Sequence, residues 1–180
     1  MYEWLMFGHL VGVSLLVAGF SIYVATVARL PRLRTLSEAR VLLGLVIIGE
    51  RILMVGGAVL IPFALIMATQ YWSLYDGWIA TSIVLVLLQG AAGAFVNSRV
   101  RSLHTKLARI DASSGAIPRE ITAHTRSRLI QAIDRAAIAN LIEIIFLMTV
   151  KPVGFPILLS LLTALLAAAI LASSALWARG

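Results

Sequence analysis

The chain has 180 residues, of which 61% are hydrophobic and only 13% charged. A soluble domain of this length holds about half apolar and about a quarter charged residues, so too little polar surface remains here to cover a water-facing globule. The absence of cysteine removes disulfides, thiolate catalysis, iron–sulfur clusters and cysteine zinc sites together. The net charge of +7 would suggest nucleic acid in a soluble chain. Here the basic residues fall between apolar runs, which points instead to orientation in a membrane and contact with anionic lipid, with no nucleic-acid partner.

The apolar runs match the roughly 20 residues of helix that a bilayer requires, and five such helices are predicted. The first covers 4–28. It carries Glu3 rather than a basic leader and exceeds the apolar core of about 7–15 residues typical of a signal peptide, so it reads as a retained helix. It stops at Arg29, Pro31, Arg32 and Arg34. The second covers 41–69 and is longer than a bilayer needs, so it tilts or begins in the interface with Arg51 at the boundary. Pro62 is expected to kink it after Gly56 and Gly57. The short link that follows holds Tyr71, Trp72 and Tyr75, then Trp78, an aromatic belt with no lysine or arginine. The third helix covers 78–97.

Residues 99–135 form the only long polar stretch. Arg99, Arg101, Lys106, Arg109, Arg119, Arg126, Arg128 and Arg135 oppose Asp111, Glu120 and Asp134, for a net +5. Ser113, Ser114, Gly115 and Pro118 are expected to divide it into two short helices, read most simply as an amphipathic patch against lipid. The fourth helix, 136–150, is short, and Lys151 has to snorkel at its end. Pro152, Gly154 and Pro156 then make a turn before a fifth helix at 157–177. The fold expected is all-α: a polytopic membrane helix bundle, a four-helix core plus a fifth C-terminal transmembrane helix, in a single transmembrane domain. Basic residues crowd the links after the first and third helices and are absent from the link after the second. The positive-inside rule then places those two links in the cytoplasm of a bacterial inner membrane, with the N-terminus outside and the C-terminus cytoplasmic.

Small residues four apart mark helix faces that can approach closely: Gly8 and Gly12, Gly90 and Ala94, and Ser160, Ala164, Ala168 and Ala172. They serve packing within one chain, or the seam of a homo-oligomer or membrane complex.

Ionisable groups at membrane depth are costly, so each is a candidate site. At about 1.5 Å of rise per residue, His9 lies roughly 8 Å below the outer boundary, Glu143 about 12 Å below Lys151 and Gln89 about 16 Å below Trp78. On this ruler the three can meet in the outer half of the bilayer or near its midplane, with Met67 and Met148 about one turn from the surface. His9 suits a haem or metal ligand or a proton carrier, or a neutral histidine bonded to a neighbouring helix. A haem there would need Met148, Met67 or a second subunit as its other ligand, or an open axial position. Glu143 is expected to be protonated, or paired with His9 or Gln89. It serves as a proton acceptor beside a bound cofactor or quinol, or as an interhelical hydrogen bond. Glu50 and Arg51 are expected at the cytoplasmic interface, Arg51 snorkelling to phosphate and too far for a direct pair with Glu143. His104 and His124 read as loop residues. No nucleotide-binding glycine loop, nucleophile elbow or paired zinc histidines are present.

Three features resemble a group of small bacterial membrane proteins: the opening Trp4-Leu-Met-Phe-Gly-His9-Leu-Val-Gly12, the pair Glu50-Arg51 before a proline-bearing helix, and Met148-Thr-Val-Lys151-Pro152. Over about 4–152 the chain resembles the uncharacterised family named domain of unknown function 2269, with the copper resistance D family and the membrane protoporphyrinogen oxidases as distant relatives. The resemblance implies a four-helix core with the fifth helix added. In the oxidase relatives the first-helix histidine is associated with haem b, a role that would fall to His9. Those relatives also use a lysine in the third helix, and 78–97 contains none, which departs from porphyrinogen oxidation. No methionine- or histidine-rich external segment supports copper transport.

Two functions follow as expectations. One is a non-enzymatic membrane protein, an accessory subunit or a partner-binding bundle. The other is a redox protein holding haem b or a porphyrin through His9, with Gln89, Glu143 and Met148 as further cofactor-binding candidates. A small transporter working through Pro62 and Glu143 has less support, because no inverted repeat is visible.

Overall fold

Backbone amides inside a bilayer have no water to bond, so a lipid-soluble run of this kind closes its hydrogen bonds within a helix. The computed structural model describes residues 1–33, 35–108 and 127–153, with positions 165 and 169 in addition. It holds α1 (Tyr2–Val27), a short 3₁₀ turn (Leu30–Arg32), α2 (Leu36–Gln70), α3 (Gly77–Ala108) and α4 (Arg128–Val150), with no strand among the described residues. Among the described residues, three helices are long and apolar enough to cross a membrane: α1, α2 and Gly77–Lys106 of α3. The predicted fifth helix, 157–177, lies outside the described residues, positions 165 and 169 aside, as does 109–126.

The chain divides into two compact units, Met1–Tyr71 with Ser98–Arg126 and Trp72–Asn97 with Ser127–Gly180. In the first, α1 and α2 are antiparallel and packed along a seam of glycine. The buried residues of α1 are Leu5, Gly8, Gly12, Gly19 and Thr26, a spacing of threes, fours and sevens that keeps one stripe facing a partner at a shallow crossing angle. A Cβ added at Gly12 would lie 2.7 Å from the Leu60 Cα, one at Gly19 2.8 Å from the Gly49 carbonyl oxygen, and one at Gly56 2.8 Å from the Leu16 amide nitrogen. In each case the obstacle is backbone, which cannot swing aside. The two helices therefore approach as closely as they do because these positions carry no side chain, and dispersion and backbone contact replace the hydrophobic effect that lipid cannot supply. Tyr2 and Tyr71 close one end of the seam with an edge-to-face ring contact at 4.9 Å.

Helix α2 starts earlier than the expected 41. Thr35 builds a capping box: its hydroxyl accepts from the Glu38 amide at 3.2 Å, and the Glu38 carboxylate accepts from the Thr35 amide at 3.3 Å. From there α2 continues without a break through Pro62 to Gln70.

Helix α3 does not stop near 97. No glycine or proline occurs between Gly93 and Gly115, and Val96, Val100 and Leu103 are buried at helical spacing while Arg99, Arg101 and Lys106 lie on the rest of the surface. The run leaves lipid-soluble composition behind and continues as an amphipathic helix. Likewise α4 begins at Arg128 rather than 136. Both ends of the basic segment thus belong to long helices, where two separate short ones were expected.

Candidate functional site

His9 sits in the first unit, on α1 beside Gly8, whose absent Cβ is replaced by the Phe63 ring of α2. Its Nδ1 is buried and has no hydrogen-bond partner among the described residues. An imidazole nitrogen left unsatisfied in this way is a donor or acceptor in search of a ligand or a proton.

Gln89, Glu143 and Met148 belong to the second unit. Gln89 does have an interhelical partner, and it is one that hydropathy passed over: Asn140. The Asn140 side-chain amide donates to the Gln89 Oε1 at 2.7 Å and to the Leu85 carbonyl oxygen at 3.0 Å. Both N–H groups of one amide are thereby spent on α3. A polar residue in the middle of an apolar helix is the usual source of such glue in a bilayer, and the signal was available, since Asn140 lies one helical turn before Glu143. Glu143 itself is buried on the face of α4 that also carries Ala139 and Leu147. Met148 is half-buried near the end of that helix. No group of three or more His, Cys, Asp or Glu residues among the described residues is arranged to hold a metal ion.

Glu50 finds a partner across 51 positions of chain. Arg101, on the polar extension of α3, grips Glu50 with two nitrogens: Nε donates to Oε2 at 3.1 Å and an Nη donates to Oε1. The carboxylate is 13% exposed and the guanidinium 57%, so the acid is held at the edge of the packed helices while the base reaches solvent. Arg51, the neighbour in sequence, is exposed. The fork of a guanidinium matches two carboxylate oxygens at once, which fixes the extension of α3 against α2 rather than building a reactive centre.

No curated protein and no solved structure matches the chain to a significant degree. The family described as predicted integral membrane protein, domain of unknown function 2269, matches residues 3–152. That span includes the glycine seam, His9, the Asn140 contact and the Glu50–Arg101 pair. With five-sixths of its length inside the match and three helices fit to cross a bilayer, the chain belongs to this family of integral membrane proteins.

Proposed function

We propose that the protein is a non-enzymatic subunit of a membrane complex, a helical bundle that receives a partner helix on the glycine-bearing face of α3. One observation carries the reading. Gly12, Gly19 and Gly56 of the α1–α2 seam are consumed by backbone contacts, whereas a Cβ built at Gly90 or Gly93 meets no described atom within 4 Å. Gly90, Ala91, Gly93 and Ala94 are all exposed, flanked by exposed Leu87, Leu88 and Phe95. Small residues on a membrane helix permit close approach by another helix. In this reading the basic links after α1 and at the end of α3 lie in the cytoplasm of a bacterial inner membrane, with the N-terminus outside.

The test exploits the cysteine-free sequence. Ala94→Cys, oxidised in native membranes, should give an adduct between two chains, either a dimer or a heavier hetero-adduct. The same chain carrying Ala168→Cys as well reports whether 157–177 covers the face instead. An internal crosslink with no adduct to another chain would refute the proposal.

The orphaned Nδ1 of His9 favours a second reading, a haem b protein in which His9 is the iron ligand. Haem-ligating histidines ordinarily hold their other ring nitrogen against an acceptor, so the imidazole would have to find that partner on binding. Haem would supply one-electron chemistry; His9 would orient it. Protein purified after haem-supplemented expression should show a Soret band that disappears in His9→Ala. A colourless preparation would exclude it.

A further inference from the structure

At the end of α4 the backbone does something only one described non-glycine residue does. Lys151 has φ 50° and ψ 57°, the left-handed conformation, which costs every residue but glycine because Cβ crowds the carbonyl. Helices commonly end this way on glycine. A lysine at such a position carries a strain that marks the site for closer inspection. The conformation sends the Lys151 ammonium over two indole rings, 4.1 Å from the Trp72 centroid and 5.5 Å from that of Trp78. The rings themselves meet edge to face at 5.4 Å.

These side chains line an open cavity of about 370 Å³ together with Asp76, Gly77, Pro152 and Val153. The Asp76 carboxylate accepts one amide, that of Ser73 at 3.1 Å. The ammonium makes no hydrogen bond or ion pair among the described residues, since Asp76 lies beyond ion-pair distance. Cation–π contact holds a lysine in place but leaves its N–H donors unspent. The pocket therefore presents one fixed cation and one carboxylate, separated, at the tryptophan-bearing end of membrane helices, which is where lipid headgroups lie.

We propose that this pocket binds the headgroup of a zwitterionic phospholipid that joins a phosphate to a primary amine. The phosphate takes the Lys151 N–H donors, and the amine takes the Asp76 carboxylate, while the indole faces hold the Lys151 ammonium in place. A net-anionic headgroup satisfies Lys151 but meets Asp76 with no compensating cation. A trimethylated amine has no N–H to give the carboxylate.

Native mass spectrometry of delipidated protein, re-equilibrated with equimolar phosphatidylethanolamine, phosphatidylglycerol and phosphatidylcholine, tests this. Wild type should retain phosphatidylethanolamine preferentially. Lys151→Gly keeps the left-handed helix end and removes the ammonium, so it should fold and lose about tenfold in retention, as expected for one charge-assisted contact. Lys151→Gln should match it. Asp76→Asn should keep phosphate binding but lose discrimination against phosphatidylglycerol. Equal retention of all three lipids by wild type would overturn the proposal. So would a Lys151→Gly protein that binds lipid normally but melts lower, the result expected of a mere anchor. Soluble phosphorylethanolamine binding as tightly as the lipid would overturn the membrane source.

Discussion

Two glycine-bearing helix faces in this molecule behave differently. On α1 and α2, Gly12, Gly19 and Gly56 each stand within 2.8 Å of where a side chain would strike the backbone of the other helix. On α3, Gly90 and Gly93 face open space among the described residues. The residue type is the same, and in a bilayer the physical use is the same, because close approach and dispersion must do what hydrophobic burial does in water. The difference lies in whether the partner is already present among the described residues. A glycine already packed against backbone belongs to the fold; in the proposed function, an exposed one with small neighbours receives the partner helix.

The largest effect should come from filling the seam. Gly12→Leu or Gly19→Leu drives a side chain into immovable backbone and should cost about 1–3 kcal/mol, read as a lowered denaturation midpoint in detergent. If either variant melts like wild type, the seam is not what holds α1 to α2. Next in size is a reversal of sign between adjacent positions. Gly56→Ala places a Cβ 2.8 Å from the Leu16 amide nitrogen, whereas Gly57→Ala meets nothing within 4 Å. The first should destabilise, and the second should stabilise by about 0.5–1 kcal/mol through helix propensity alone. Like signs for the two would break the comparison.

A smaller effect is expected at Asn140. Asn140→Leu removes two hydrogen bonds to α3, and measured bonds of this type in membranes average about 0.6 kcal/mol. Smallest in stability, and clearest in local dynamics, is Arg101→Gln. It releases Glu50 and should speed amide exchange over 98–106 while leaving the seam unchanged. Unaltered exchange would show that the pair does not fix the extension.

The spans of α1, α2 and α3 were legible in sequence because the bilayer writes its thickness directly into the length of apolar runs. Their true ends were less so. Hydropathy falls at 97, yet α3 continues, because a helix leaving lipid needs only a buried stripe such as Val96, Val100 and Leu103 and no breaker. The box Thr35–Glu38 was a local signal for the start of α2, readable from spacing alone. Gly8 and Gly12 were visible as a small-residue stripe, but spacing cannot say which helix fills it; that required Leu60 and Phe63. Helical geometry sets the adjacent Glu50 and Arg51 on different sides of α2, which sequence alone shows, whereas the partner that tertiary packing brings to Glu50, Arg101, lies 51 positions away and carries no local signal. Of the polar candidates, Gln89 was found and its partner Asn140 was not, since one amide hardly lowers the apolarity of a run.

The most direct test sets Gly12→Leu beside Gly90→Leu in one experiment, following both thermal melting and the mass of the complex extracted from membranes. Gly12→Leu should lower the melting temperature, and Gly90→Leu should leave melting unchanged while removing the partner. A Gly90→Leu protein that keeps its partner, or one that unfolds as Gly12→Leu does, would contradict the division of the two faces.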